Sequence, residues 1–383
     1  MATNKNVFAK EKINAKFIVP SYYKDFTCKG GDCRDSCCKE WKVTIPMNQY
    51  FLLHGLYCNK KVKDKIDRTF RPVFKPTNER YAEIVHTQNG DCPLHKENGY
   101  CLLHETCGEE VLPWVCRYYP RGPRLDYQNE ASCANSCEKT LELLFADDEL
   151  ISFEEKQLTF LMNKPKEIIS ENKKNEYKSI RDNCATILSN RNFTLQKRLI
   201  HLGIYLKETQ NNPLITLDEI NFLFAEENSD IKWIYNVLSE VLSHFNGRYP
   251  RLLEQLDQVK KIYEDSDIKL IYLKVLEKFE NQFPNHEIMF EKMLINDLFF
   301  KQFPFQKNFK LWDQYLSICG TYVLLRYLAI NLSYSKDTSE DLIDILSKTF
   351  TVIDHSEFDK ELADYFNDNN LNNLDILAKI TLI

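Results

Sequence analysis

Eleven of the thirteen cysteines in this 383-residue chain lie between Cys28 and Cys137, and no other feature constrains its folding as much. They fall as Cys28-x4-Cys33-x3-Cys37-Cys38, Cys92-x8-Cys101, Cys116 within PWVCRYYPR, and Cys133-x3-Cys137, with Cys58 and Cys107 outside these groups. An odd total and an adjacent CysCys pair suit a disulfide framework poorly. Over residues 1–140 short apolar runs such as Phe17 to Val19 and Val43 to Ile45 sit between Gly, Pro and Asp, and long helical periodicity is mostly missing. A segment this irregular builds a weak core alone, and thiolate-metal bonds are among the few interactions able to hold it. Cys28, Cys33, Cys37, Cys38, Cys92, Cys101, Cys116, Cys133 and Cys137 are therefore read as the metal-ligating set, with Cys33, Cys37, Cys101 and Cys116 the preferred four.

Spacing leaves the metal open between an iron-sulfur cluster, of the 4Fe-4S type, and zinc, because soft sulfur suits both. The repeated C-x2-C pairs of zinc ribbons are missing. The CxxxCxxC motif of radical enzymes is also incomplete, since Glu40 and Thr140 stand where its third cysteine would be. Adjacent thiols reach one ion only through a tight turn. The Cys37-Cys38 pair thus means a polynuclear cluster, two nearby sites, or one ligand beside one packed thiol. Cys58, Cys107, Cys184 and Cys319 read as small buried residues, and His95 and His104 as surface or supporting histidines.

From Leu141 onward the apolar residues recur at helical intervals, with helix ends or loops at Pro213, Pro250, Pro284 and Pro304. Thr216 and Glu219 have capping-box spacing before the periodic segment Ile220 to Phe245, and Ser339 and Asp341 precede Leu342, Ile343, Ile345 and Leu346 in the same way. The fold class expected is mainly α: an irregular cysteine-rich metal-bound domain over 1–140, followed by an all-α helical domain over 141–383. Charge changes at the same place. Residues 1–140 carry 22 Lys and Arg against 17 Asp and Glu, net +5, and the remainder 28 against 39, net −11. That balance gives no case for a nucleic-acid surface. Ten glycines, none spaced as GxG, argue against a dinucleotide-type site, a P-loop and a kinase. The longest apolar stretch, Tyr315 to Leu332, encloses Arg326 and reads as a buried core helix rather than a membrane span. With no apolar run near the N-terminus to serve as a secretory signal, the expected location is the cytoplasm.

At this point the residues carry a resemblance. The run IVPSYYKDFTCKGGDCRDSCCKEWKVTI (Ile18 to Ile45) resembles the opening motif of the flagellin lysine N-methylase family, and CPLHKENGYCLLHETCGEEVLPWVCRYYPR (Cys92 to Arg121) its second motif. HEIMFEKMLINDLFFKQFPF (His286 to Phe305), YVLLRYLAI (Tyr322 to Ile330) and the region through DHSEF (Asp354 to Phe358) resemble its helical C-terminal part. Arg34-Asp35 in place of an acidic pair, Leu94 at an often aromatic position and the extra Cys107 depart from the pattern. The resemblance implies methyl transfer from S-adenosylmethionine to lysines of flagellin, with a protein-bound iron-sulfur cluster.

Such chemistry needs a group to deprotonate the substrate lysine, whose amine is mostly protonated at neutral pH. Tyr118, Tyr119, Asp35 and Glu40 lie in the motifs and are able to accept or relay a proton. Arg117 and Arg121 suit a bidentate grip on the cofactor carboxylate, and Trp41 suits cation-π contact with a sulfonium. The acidic helical domain is expected to recognise flagellin or another lysine-rich protein. The competing expectation is a non-enzymatic scaffold or electron-transfer protein, its metal cluster joined to a helical partner-binding domain.

Overall fold

The structure, a computed structural model, describes residues 11–39, 42–163, 168–211, 230–245, 248–264, 267–306 and 308–383. Along the first part run β1 (Glu11–Pro20), β2 (Thr44–Ile45), α1 (Met47–His54), α2 (Lys60–Thr69), β3 (Phe70–Pro72), β4 (Ala82–Ile84), α3 (Leu102–Cys107), α4 (Trp114–Tyr118), α5 (Glu138–Leu144) and β5 (Phe153–Met162). Helices follow: α6 (Glu171–Leu188), α7 (Leu195–Asn211), α8 (Ile231–His244), α9 (Pro250–Tyr263), α10 (Ile268–Gln282), α11 (His286–Phe300), α12 (Leu311–Leu332), α13 (Ser339–Asp354), α14 (Phe358–Asp368) and α15 (Leu374–Thr381).

Residue chemistry accounts for the better-formed elements. In α2, Asn59 caps the N-terminus by accepting from Val62 N at 3.0 Å, and Val62, Ile66 and Thr69 form one buried stripe. That stripe packs into a small core with Val43, Ile45, Leu53, Phe70, Ala82 and Ile84, roofed by the three-stranded sheet in the order β2-β4-β3. Thr338, one residue before the expected cap, closes a capping box with Asp341 at the start of α13. Pro250 opens α9 rather than ending a helix, as its fixed φ allows in a first turn. Of the periodic segment expected from Ile220, the part from Ile231 is helix α8; Pro213, the Thr216 to Glu219 cap and the segment's first turns lie outside the described residues.

The part beyond Leu141 is mainly helical but not all-α. It opens with the ten-residue strand β5, antiparallel to β1 from Glu11↔Met162 to Pro20↔Phe153. Leu158, Phe160 and Met162 alternate onto the core against Ile13, Ala15, Phe17 and Val19, the period-2 pattern of a half-buried strand.

Residue 140 is a boundary of composition, and the packing crosses it. Phe17, Val19, Tyr22, Tyr23, Ala131 and Cys133 belong to the same large core as the helices. Buried polar bonds fasten the seam. Tyr22 donates to Asn296 Oδ1 at 2.6 Å, Asn296 donates to the Cys133 carbonyl at 2.8 Å, and Glu130 is held by Tyr177 at 2.9 Å and by Arg181.

At the centre of the bundle α12 is buried from Gln314 to Leu332. Among the described residues it is the helix long and apolar enough to cross a membrane, and the apolar window that qualifies it is covered by protein throughout. Arg326 is tolerated inside because it donates to the Ile383 carbonyl and faces Glu280 at 3.6 Å.

Candidate functional site

Three loops and two short helices bring the cysteine segment together. After β1 the chain makes a turn at Gly30 to Asp32, where Cys28 Sγ accepts from Gly30 N at 3.4 Å. The loop from Cys92 to Cys101 lies against it: a Cβ on Gly31 would stand 2.4 Å from the Asn98 carbonyl and 2.6 Å from the Tyr100 ring, and Gly99 has φ +79°. Only glycine permits that approach. Cys92 N donates to the Cys38 carbonyl at 2.8 Å, His95 N to the Cys92 carbonyl at 2.8 Å, and the His95 and Cys101 backbones pair antiparallel. Cys116 sits on α4. The Arg121 and Cys133 backbones pair antiparallel, and Cys137 is the residue at the N-terminal end of α5.

Glu138, the first residue of α5, organises the opposite side. Its side chain receives Lys29 Nζ at 2.5 Å and the backbone N-H groups of Arg34 and Asp35 at 3.0 and 3.1 Å. The loop is then tied to the helical bundle by Arg34 Nε to Asp344 at 2.8 Å and by Arg251 to Asp35 at 2.7 Å. A charged cleft of about 270 Å³ opens between these partners, along Lys39, Arg251, Lys336 and Lys348.

The thiols are mostly driven to the neutral state by their surroundings. Burial pushes Cys92 up to about 12, and burial with Glu138 pushes Cys33 up to about 12. Burial also raises Cys101, Cys116, Cys133 and Cys137. Cys38 moves the other way, to about 6, because the Cys37 thiol donates to it and His95 and Ser36 assist; Cys37 is raised correspondingly. Cys37 and Cys116 expose surface while protein surrounds them closely, as expected of residues lining a recess. Among the described residues no three His, Cys, Asp or Glu side chains converge on a single ion position. Of the preferred four, Cys116 neighbours both Cys37 and Cys101, while Cys33 lies beside Cys28 and Cys137.

The other expected residues meet different fates. Tyr118 is a packing residue, its hydroxyl accepting from Leu161 N at 2.7 Å and its ring edge-on to Phe160. Asp35 is paired with Arg251. Arg117 lies 3.9 Å from Glu109 and Arg121 faces the Phe26 ring, and the Nε of each is buried without a hydrogen-bond partner, as is His95 Nε2. His104 is exposed, and Glu40 and Trp41 lie outside the described residues. Cys184 and Cys319 are fully buried in the large core, and Cys58 and Cys107 flank the small one.

Tyr119 is the motif residue that enters a network. Its hydroxyl donates to Ser136 Oγ at 3.2 Å, and Ser136 Oγ is 3.0 Å from His355 Nε2, while Ser136 N donates to Asp354 at 3.0 Å. Burial pulls His355 down to about 4, helped by the charge of Arg251. Burial and the neighbouring Asp297 push Asp354 up to about 7, against the pull of Lys301. Lys301 bridges Asp297 at 2.9 Å and Asp359 at 2.7 Å. Residue-by-residue reading missed His355, Asp354 and Ser136 as site groups; the one signal on them was the resemblance running through DHSEF.

Comparison with known proteins follows this division. The model of the FliB lysine N-methylase C-terminal domain matches residues 181–380, the helical part. A lysine-N-methylase of Salmonella typhimurium is 28% identical over 149 residues, covering 36% of this chain and 35% of that protein. Flagellar biosynthetic protein FliU of Salmonella muenchen is 27% identical over 148 residues, covering 36% of this chain and 82% of that protein. The chain spans about a third of the length of the lysine-N-methylases it matches. No solved structure matches. With its helical domain matched over more than half the chain, the protein belongs to the flagellin lysine N-methylase family.

Proposed function

We propose that the protein is a lysine N-methyltransferase that moves a methyl group from S-adenosylmethionine to lysine side chains of flagellin, with an iron-sulfur cluster held by its N-terminal cysteines. The observation that carries this reading is where the thiols sit. They gather against the helical domain that matches the lysine N-methylase model, joined to it by the bonds of Ser136 to Asp354 and of Asp35 to Arg251. The donor set suits a soft-metal group: the cysteines are free, and buried nitrogens of His95, Arg117 and Arg121 beside them lack hydrogen-bond partners. A subset of the nine thiols Cys28, Cys33, Cys37, Cys38, Cys92, Cys101, Cys116, Cys133 and Cys137, about four of them for one cubane, would hold it. When bound, iron with an open coordination position offers the amino-acid end of S-adenosylmethionine an anchor.

The chain's own residues account for the rest. Arg117 and Arg121 offer guanidinium groups for the cofactor carboxylate. In the transfer the bond from the sulfonium sulfur to the methyl carbon breaks, a bond from that carbon to the lysine nitrogen forms, and S-adenosylhomocysteine leaves. The lysine must give up one proton first. The hydrogen-bonded run from Tyr119 through Ser136 to His355 would serve as a relay that carries it away.

The test is anaerobic purification with iron, sulfide and zinc analysis, then incubation with methyl-labelled S-adenosylmethionine and flagellin. Label on flagellin lysines is expected from iron-loaded protein. Loaded protein that transfers no label would instead favour the scaffold or electron-transfer reading.

A further inference from the structure

A cleft of about 330 Å³ opens between Asp126 and Tyr127, the chain that follows α11, and the start of α14. Two of the runs that carry the family resemblance meet on it: Lys301 and Phe305 come from the first, Ser356 and Glu357 from DHSEF. Neither Tyr119, Arg117, Arg121 nor a cysteine is among its lining residues. One side is aromatic, made by Tyr127, Phe305 and Phe309. The Tyr127 ring stacks on Tyr177 at 4.7 Å and lies 5.5 Å from Phe305, so the rings brace one another as a wall. Lys173 of α6 holds its ammonium 5.9 Å from the centre of the Phe305 ring, the attraction of an aromatic face for a cation. The other side is charged. Lys301 is answered by two carboxylates, Asp297 at 2.9 Å and Asp359 at 2.7 Å, which leaves that group one negative charge over. Glu357 and Lys360 pair at 3.0 Å and cancel, and Asp126 shares the field of Arg124. Adjoining the cleft, and sharing Lys301, Phe309 and Asp359 with it, is a hole of about 10 Å³ that Gln314 also lines. Gln314 is 2% exposed; its Nε2 donates to the Phe309 carbonyl at 2.8 Å, and its Oε1 is buried without a hydrogen-bond partner.

Surplus negative charge, an amide oxygen that can only accept, and a wall of ring faces suit one kind of guest. An ammonium carries three donors and no acceptor, and the methylenes of a lysine lie readily along apolar surface while its charged head stays among polar groups. An anion would meet the carboxylates, and a wholly apolar group would strip water from them with nothing in exchange. We infer that this cleft binds a lysine side chain of the substrate, a second lysine beside the one that accepts the methyl group. The accepting lysine has to meet the Tyr119 end of the proton relay, which the cleft does not include, and so the two positions are distinct. This rests on the methyltransferase reading for what the substrate is, and adds to it a subsite that holds the substrate in place.

The experiment measures binding of the full chain to fluorescently tagged peptides of repeated Gly-Ser-Lys, and to copies with norleucine in place of lysine, by anisotropy without S-adenosylmethionine. The lysine peptide should bind and the norleucine peptide should not. Phe309→Ala and Glu357→Lys should each weaken binding about tenfold. Glu357 is exposed, so its reversal keeps the test open if Phe309→Ala fails to fold. Glu277→Lys, at an exposed position of α10 outside the cleft, makes the same change of charge and should alter binding less than about twofold. Equal losses in Glu277→Lys and Glu357→Lys would assign the attraction to the acidity of the whole domain and overturn the inference, as would a norleucine peptide that binds as tightly. Because no methyl transfer is read, the two ideas fail separately. Loaded protein that transfers no label while the cleft binds as expected overturns the methyltransferase reading alone. Label transferred to flagellin, with peptide binding unmoved by Glu357→Lys, overturns the cleft alone.

Discussion

His355 and Asp354 are neighbours whose protons move in opposite directions. His355 falls to about 4 from an ordinary 6.5, so between those values the folded chain carries fewer protons than the unfolded one, and stability is lost as pH falls through that window. Asp354, at about 7 against an ordinary 3.8, holds an extra proton in the folded chain, so its contribution weakens as pH rises toward 7. In the unmodified protein the two trends offset. His355→Asn isolates one of them: its melting temperature should fall less than that of the unmodified protein between pH 6.5 and 5. Parallel curves would show that the imidazole is not buried neutral. As part of the proposed proton relay, His355 should also matter to turnover. The same variant is expected to lose about 100-fold or more in kcat, in the range of general-base contributions, and Tyr119→Phe less, because Ser136 still reaches the imidazole. Neither residue announces this role in the sequence, since Ser136 and His355 are 219 positions apart and an isolated histidine on a helix-rich stretch has no spacing to betray it.

Among the elements, what was legible depended on whether the partner lay nearby in the sequence. The helices could be anticipated from apolar periodicity, and α13 shows the limit of that method, its cap displaced by a single residue to Thr338. β5 was missed although Leu158, Phe160 and Met162 alternate, because ten residues with a mostly exposed face become a strand through pairing with β1, far earlier in the chain. The thiols could be read as a class from crowding alone. Their arrangement could not, since it depends on how the Cys92 loop docks on the Gly30-Gly31 turn. That docking has its own test. Gly31→Ala places a methyl group against the Asn98 carbonyl and the Tyr100 ring, and overpacking of this kind costs about 1 to 3 kcal/mol. Chemical denaturation should record that loss, and metal content should drop with it; unchanged values for both would mean the loops are not held together at this contact.

Across the whole molecule, two kinds of charge do separate work. Buried ions bind the parts together. Glu291 is fully buried between Arg191 at 2.8 Å and Arg198 at 2.6 Å, so Glu291→Gln leaves buried Arg198 with only Glu287, 3.6 Å away, as counter-ion and is expected to cost about 3 kcal/mol. A loss below about 1 kcal/mol in denaturant titration would mean water reaches the pair.

The second kind is the net −11 of residues 141–383. A lysine-rich substrate approaching that domain is drawn by a field whose reach is about 10 Å in 0.1 M salt and about 3 Å in 1 M salt. Attraction of this type acts on encounter rather than on the chemical step. The expected signature is therefore a KM for flagellin that climbs as salt is raised, with kcat held nearly constant and metal content unaltered. If the acidic residues serve only to keep the surface hydrated, KM will be flat across the same titration. If salt loosens the cysteine-bearing loops instead, through Arg34 with Asp344 and Arg251 with Asp35, kcat and any bound metal will fall together while KM stays put. The three outcomes separate substrate steering from solvation and from loss of the site.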